Sequence, residues 1–163
     1  MLRISKLTDY ATVILAALAE QPDEVRTAVA IAEQTHIAAP TVSKLLKQLQ
    51  RSGLVASTRG LHGGYQLARP ASQISAAAIL DALEGPLALT DCSAGHGNCG
   101  IESTCRVSKV WQRLNLAVRR ALYEVSLAQL AGIDSTQVRL AVLEREMKSA
   151  TTRSTGRLRG EST

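Results

Sequence analysis

Three cysteines, Cys92, Cys99 and Cys105, are the only thiols of this 163-residue chain, and all lie in the glycine-broken segment "CSAGHGNCGIESTC". Thiolates bind zinc and iron tightly, and they also carry redox chemistry. An odd number of cysteines cannot all pair with one another as disulfides. The spacing C-x6-C-x5-C also differs from the C-x2-C unit that is typical of structural zinc sites.

The charges around this segment favour a bound cation. Residues 71–105 contain four acidic residues and no Lys or Arg, so this stretch itself has no cation placed to pair with the thiolates. The apolar run at the N-terminus is too short to span a bilayer and has no cleavage site, so we expect a cytoplasmic protein and no membrane partner. In a reducing cytoplasm, cysteines are more often metal ligands or redox centres than disulfides.

Positive charge is concentrated in an earlier stretch of the chain. The net charge is +5, and residues 34–80 contain no acidic residue at all. A segment with only cations suits a polyanionic partner. The cations of this stretch are Lys44, Lys47, Arg51, Arg59 and Arg69.

The elements that carry these cations read as a winged helix-turn-helix. Apolar spacing and capping residues predict helices at 7–20, 27–34 and 40–52. The strands "LVAST" and "YQLAR" then enclose the glycine-rich loop "RGLHGG", which predicts a small β-hairpin wing. Aromatic residues make up only 2% of the chain, so the core must be aliphatic, which suits a mainly α fold.

The third helix is predicted to enter the DNA major groove, as the second helix of such a pair does. Its apolar stripe faces inward, and its opposite side is hydrogen-bonding or cationic without an acid. The residues expected to contact DNA are Thr41, Ser43, Lys44, Lys47, Gln48, Arg51 and, at the hairpin tip, Arg59. We expect Thr41, Ser43 and Lys44 near base edges and Lys47 and Arg51 nearer phosphate. Arg59 can reach the backbone or a minor groove.

A further helix is predicted at 75–84, and a long helix at 107–130 follows the cysteines. The long helix is apolar on one side and too long to pack only on a small winged helix, so we expect it to join two chains in a homodimer. The predicted segments are a DNA-binding domain (1–84), a cysteine loop (85–106), a dimerisation helix (107–131), a charged helical extension (132–149) and a disordered tail (150–163).

These features resemble the IscR/NsrR-type winged-helix regulators of bacteria, which bind an iron–sulfur cluster and control transcription. The matching residues are "LRISKLTDYA", the hairpin "RGLHGGYQLAR" and three cysteines in a loop before a long helix. The resemblance covers about residues 1–131. The opening "MLRISKLTDYATVILAALA" is most similar to the branch that controls the SUF cluster-assembly operon.

The resemblance implies that Cys92, Cys99 and Cys105 ligate the cluster, either 2Fe–2S or 4Fe–4S. In the IscR-like branch a histidine three residues after the last cysteine completes the site, and here that position is Ser108. The NsrR-like branch instead uses an aspartate near the start of the first helix of the other subunit, which Asp9 matches.

Two residues inside the loop, His96 and Glu102, are local alternatives for the fourth ligand. The resemblance implies a repressor or activator that binds operator DNA and senses cluster or redox status, with SUF genes as targets. The alternatives are a nitric-oxide-sensing repressor of the same family and a DNA-binding protein with structural zinc on three cysteines and His96. No phosphate loop, nucleophile elbow or paired catalytic carboxylates are present, so we do not expect an enzyme.

Overall fold

The computed structural model describes residues 4–60, 62–93, 99–100 and 105–134. Helices dominate these ranges, with one antiparallel pair of strands, as the sequence predicts for a winged helix-turn-helix. The elements are α1 (Lys6–Ala19), α2 (Ala28–Thr35), α3 (Ala39–Arg51), β1 (Val55–Thr58), β2 (Gly64–Leu67), α4 (Ala76–Glu84), α5 (Ser108–Glu124) and α6 (Leu127–Leu130).

Three hydroxyl side chains start helices as local sequence dictates. The hydroxyls of Ser5, Thr27 and Ser75 each accept a hydrogen bond from a backbone N–H three residues later, at the starts of α1, α2 and α4. Such caps satisfy donors that have no partner inside the helix. The α3 helix lacks a side-chain cap and instead carries Pro40 in its first turn, where a missing N–H costs nothing.

The core lies between α1, α2, α3 and the wing, and α4 and α6 also contribute side chains to it. The predicted apolar stripe of α3 is fully buried, and it packs with side chains of α1 and α2 in one cluster. Each such side chain stabilises the fold by about 1.5–3 kcal/mol through burial. The stripe consists of Val42, Leu45, Leu46 and Leu49. Leu7, in the first turn of α1, lies outside this core and is 44% exposed.

The wing is fixed by a close approach to the segment before α2. Strands β1 and β2 pair from Val55 with Leu67 to Thr58 with Gly64. Arg26 extends this sheet, since its N–H donates to the Tyr65 carbonyl (2.9 Å) and its carbonyl accepts from the Tyr65 N–H (2.8 Å). A Cβ at Gly64 would lie 2.5 Å from the Arg26 carbonyl oxygen, so this position requires glycine.

The single long helix predicted at 107–130 is not observed, because α5 ends at Glu124. Val125 is extended, and Ser126 begins α6 with a capping box completed by Gln129. The break lets Leu127 enter the core, where it is fully buried and its N–H donates to the Ile74 carbonyl at 2.7 Å. The capping box and the burial of Leu127 together therefore end the helix after Glu124, although the apolar pattern of the sequence continues beyond it.

Some predictions fall on residues outside the described ranges. They are His96, Glu102 and residues 135–163, which include most of the predicted charged extension and the whole predicted tail. Among the described helices, none is long and apolar enough to cross a membrane.

Candidate DNA interface and cysteine loop

The outer face of α3 presents three exposed cations. Lys44, Lys47 and Arg51 follow one another at intervals of three and four residues, so they share one side of the helix, opposite the buried stripe. Thr41 and Ser43 flank this row and are half-buried. A row of cations without carboxylates on the same helix is suited to contact with the phosphates of a duplex.

Gln48 occupies a different environment from its cationic neighbours. Its side-chain amide is half-buried and lies against the end of α4, where Nε2 donates to the carbonyls of Ala82 (3.2 Å) and Leu83 (3.4 Å). These contacts hold α3 against α4. The amide predicted to face DNA is thus engaged within the subunit.

A polar cleft of about 370 Å³ lies between α3 and the wing, and cations from both elements line it. Lys47 from α3 and Arg59 from the wing both line it. Gln50 donates from Nε2 to the Ser57 hydroxyl at 2.7 Å and links the helix to β1. Gln50 and Ser57 could not be identified from the sequence, because only the packing of the wing on α3 places them beside the cations.

The cysteine loop leaves α4 at Gly85 and enters α5 at Ser108. Its first part is anchored, because the Leu89 N–H donates to the buried Asn115 Oδ1 of α5 at 3.1 Å. The backbone of Cys92 lies in the 3₁₀ turn Asp91–Ser93 that follows.

Cys99 and Cys105 are half-buried free thiols. Three cysteines in one loop supply soft thiolate donors, and thiolates are the ligands that suit an iron–sulfur cluster or zinc. Among the described residues, no group of three or more His, Cys, Asp and Glu side chains is arranged around one point.

Ser108, at the position of the IscR-like histidine, is packed inside the subunit. It is the first residue of α5, only 5% exposed, and its hydroxyl accepts from Gln112 Nε2 at 3.4 Å. A side chain buried in this way serves the packing of α5.

Asp9 lies exposed in the first turn of α1. It borders an apolar groove of about 370 Å³ between α1, α4, α5 and α6, whose lining includes Leu80, Leu122 and Leu130. The carboxylate therefore sits at the edge of an uncovered apolar surface.

Glu84 ties the start of α1 to the end of α4. Its Oε1 accepts from the Thr8 hydroxyl (2.6 Å) and from the Ser5 N–H (3.0 Å). The Thr8 hydroxyl, followed by the Ser5 N–H and hydroxyl, lowers the pKa of Glu84 below its ordinary value of 4.5, against a small opposing effect of burial.

This network predicts a pH-dependent contribution to stability. Glu84→Gln should lower the urea midpoint at pH 7. The loss of unfolding free energy should be less than about 1 kcal/mol, because the carboxylate is exposed. Because the pKa of Glu84 is lower in the folded protein, its ionised carboxylate stabilises the fold fully above pH 4.5. This stabilisation is lost as the pH falls through the lowered pKa. Urea unfolding of both proteins should therefore converge below that pH. A midpoint difference that persists at low pH would contradict this assignment.

The exposed side of α5 is apolar. Val107, Val110, Trp111 and Leu114, all members of the stripe predicted to join two chains, are between 42% and 57% exposed in the single subunit. Apolar side chains grouped at i, i+3, i+4 and i+7 on an uncovered helix are typical of a protein–protein interface.

The fold and the cationic helix define a winged-helix DNA-binding protein. Residues 4–132 match the profile of the Rrf2 family, described as iron-dependent transcriptional regulators. This match spans most of the 163 residues. The chain therefore belongs to the Rrf2 family, whose members regulate transcription and are not enzymes.

Two relatives support this assignment. A protein of Synechocystis, slr0846, named as an HTH-type transcriptional regulator, is 38% identical over 130 residues, 79% of this chain and 87% of that protein. A Haemophilus influenzae protein with a similar name is 37% identical over 100 residues, 61% of this chain and 66% of that protein. The second alignment thus spans just under two thirds of the relative.

Two solved structures share the fold. CymR of B. subtilis, named as the global cysteine regulator, matches with a TM-score of 0.64 and 27% identity over 83% of this chain and 100% of that one. IscR of T. potens matches with a TM-score of 0.59 and 26% identity over 83% of this chain and 91% of that one. Because the two proteins carry different names, their similarity to this chain indicates the class of regulator but not the signal to which the regulator responds.

Proposed function

We propose that this Rrf2-family regulator senses cellular iron–sulfur or redox status through a cluster held by Cys92, Cys99 and Cys105. The observation that carries the proposal is the position of all three thiols in one loop between α4 and α5, directly after the winged helix. When bound, an iron–sulfur cluster supplies a redox-active centre that oxidants, nitric oxide or iron shortage can remove or alter. The protein's own residues translate that change into DNA binding.

On the DNA side, α3 enters the major groove. Lys44 reaches base edges together with Thr41 and Ser43, whereas Lys47 and Arg51 contact phosphates. Arg59 reaches the backbone or the minor groove from the wing. Gln48 is left out of this interface because its amide binds the carbonyls of α4.

Two copies of the chain form the DNA-binding unit through the exposed apolar side of α5. Burial of that side in a homodimer would place the two α3 helices on half-sites about 34 Å apart, or a multiple of that spacing, along an operator with two-fold symmetry. The dimer acts in the cytoplasm, where its operator DNA lies.

The proposed targets are genes for iron–sulfur cluster assembly of the SUF type, because the N-terminal segment is most similar to that branch. Nitric-oxide sensing is the second candidate, and it is favoured by the exposed Asp9 together with the buried Ser108. In both cases the same loop and the same DNA surface are used.

Asp9 is the proposed fourth ligand, donated to the partner subunit. Asp9→Ala should change the visible spectrum and speed cluster loss by about tenfold or more, the range found for groups that support a metal site. The cluster-free protein should lose at most about 1 kcal/mol of unfolding free energy, because the carboxylate lies in the first turn of a helix.

The comparison for Asp9 is His96→Ala, measured by the same anaerobic absorbance decay. Wild-type spectrum and decay in Asp9→Ala, together with altered values in His96→Ala, would place the fourth ligand inside the loop.

The function is tested by measuring operator affinity with and without the cluster. Anaerobically purified protein and protein stripped with a chelator should bind a two-fold symmetric operator with different affinities. If the purified protein carries a full complement of iron and sulfide and yet binds the operator with the same affinity as the stripped protein, a sensing role is contradicted.

A further inference from the structure

The last turn of α4, residues 81–84, contacts three other helices through side chains that sequence analysis did not connect. Gln48 of α3 donates to the Ala82 and Leu83 carbonyls. Glu84 accepts from Thr8 and Ser5 at the start of α1. The turn is therefore a junction between the DNA-binding helix and the rest of the subunit.

Two routes lead from the cysteine loop to this turn. The first is the chain itself, because α4 ends at Glu84 and the next residue, Gly85, redirects the backbone into the loop with a φ of 83°. The second passes through α5, where Asn115 accepts from the loop at Leu89. One turn further along α5, Arg119 forms an ion pair with Asp81 of the α4 turn at 3.1 Å.

The contact of Gln48 is suited to transmitting movement. The last carbonyls of a helix have no partner within it, so a donor that reaches them stabilises the contact more than it would in the middle of a helix. Gln48 is also adjacent in sequence to Lys47 and one helical turn from Lys44 and Arg51. If its contact with α4 shifts, the row of cations on α3 is therefore rotated or displaced.

On the premise of the proposed function, we propose that Gln48 is a positioning residue that couples the cysteine loop to the DNA-binding helix through the last turn of α4. A displacement of the loop moves the 81–84 turn through Gly85 and through the Asn115–Arg119 face of α5. Gln48 passes this movement to α3 and changes the fit of its cations to the operator.

The test compares Gln48→Met with Gln50→Met. Methionine is nearly the size of glutamine and lacks the amide donor. Gln50 is the matched control because its amide donates to Ser57 on the wing rather than to α4. Asp81→Ala, which removes the α5 contact of the same turn, serves as a second variant that does not change α3.

The first readout is amide hydrogen exchange of the cluster-free dimer. Loss of the Gln48 contact should speed exchange within residues 81–93 by about fivefold, the population change that corresponds to one net hydrogen bond. Gln50→Met should leave this segment unchanged. Exchange of residues 81–93 in Gln48→Met at the wild-type rate would overturn the proposal.

The second readout is the ratio of operator affinities with and without cluster. In Gln48→Met and Asp81→Ala, that ratio should be about fivefold closer to one than in wild type. Iron content and the visible spectrum should stay as in wild type. An equal loss of affinity in both forms would make Gln48 a direct DNA contact and overturn the coupling. Wild-type protein without iron and sulfide would instead overturn the proposed function, and the exchange result would still decide whether Gln48 links the two segments.

Discussion

Replacing Cys99 by Ala is expected to lower the iron bound per subunit by at least about tenfold, and Cys92→Ala and Cys105→Ala should do the same. Even groups that only support a metal ligand change affinity by about 10–100-fold, so loss of a ligand itself must have at least that effect. The unfolding free energy of the cluster-free Cys99→Ala and Cys105→Ala variants should change by no more than about 0.5 kcal/mol, because both thiols are half-buried and neither belongs to the core cluster.

The matched control for the cysteines is Ser93→Ala, which removes a hydroxyl from the same loop and leaves all three thiols. Iron and sulfide analysis of anaerobically purified protein measures the effect, and urea unfolding of the stripped proteins measures the stability. Full iron content in all three cysteine variants would contradict the proposed ligand set.

The double variant Lys44→Ala and Arg59→Ala is expected to weaken operator binding by at least about tenfold. A lost base contact costs about 1–3 kcal/mol of binding free energy. A lost phosphate contact also reduces the slope of log affinity against log salt concentration by about one. The two residues lie on α3 and on the wing, so their contacts reach different parts of the same half-site.

The control for charge is Arg120→Ala, which removes an exposed cation from α5 rather than from the winged helix. Titration of operator and of unrelated DNA at two salt concentrations separates specific from general loss. Lys44→Ala alone should reduce the preference for operator, whereas Lys47→Ala should weaken both DNAs alike. Unchanged operator affinity in the double variant would rule out this docking of α3.

Local patterns predicted the parts of the fold that local forces decide. The α3 stripe was predicted because four apolar side chains at helical spacing have only one face to bury, and all four are buried. The wing was predicted because the glycines between two alternating segments allow few other turns. The starts of the helices predicted at 27–34 and 75–84 also agree with the structure, where the hydroxyls of Thr27 and Ser75 cap α2 and α4.

Features that depend on distant packing were not predictable in the same way. The break after Glu124 is marked locally by the Ser126 and Gln129 capping box, but the apolar pattern continues through it and concealed it. The inward contact of Gln48 depends on where α4 ends against α3, and the shared cleft of Lys47 and Arg59 depends on how the wing folds back. Neither position follows from helix periodicity alone.

The most direct test of the central claim is the visible absorption spectrum of anaerobically purified protein, combined with iron, sulfide and zinc analysis. Cluster ligation by the three cysteines predicts a coloured protein with iron and acid-labile sulfide in equal amounts, which bleaches when the cluster is removed. A colourless protein with one zinc per subunit and no sulfide would contradict the account and assign the loop a structural metal instead.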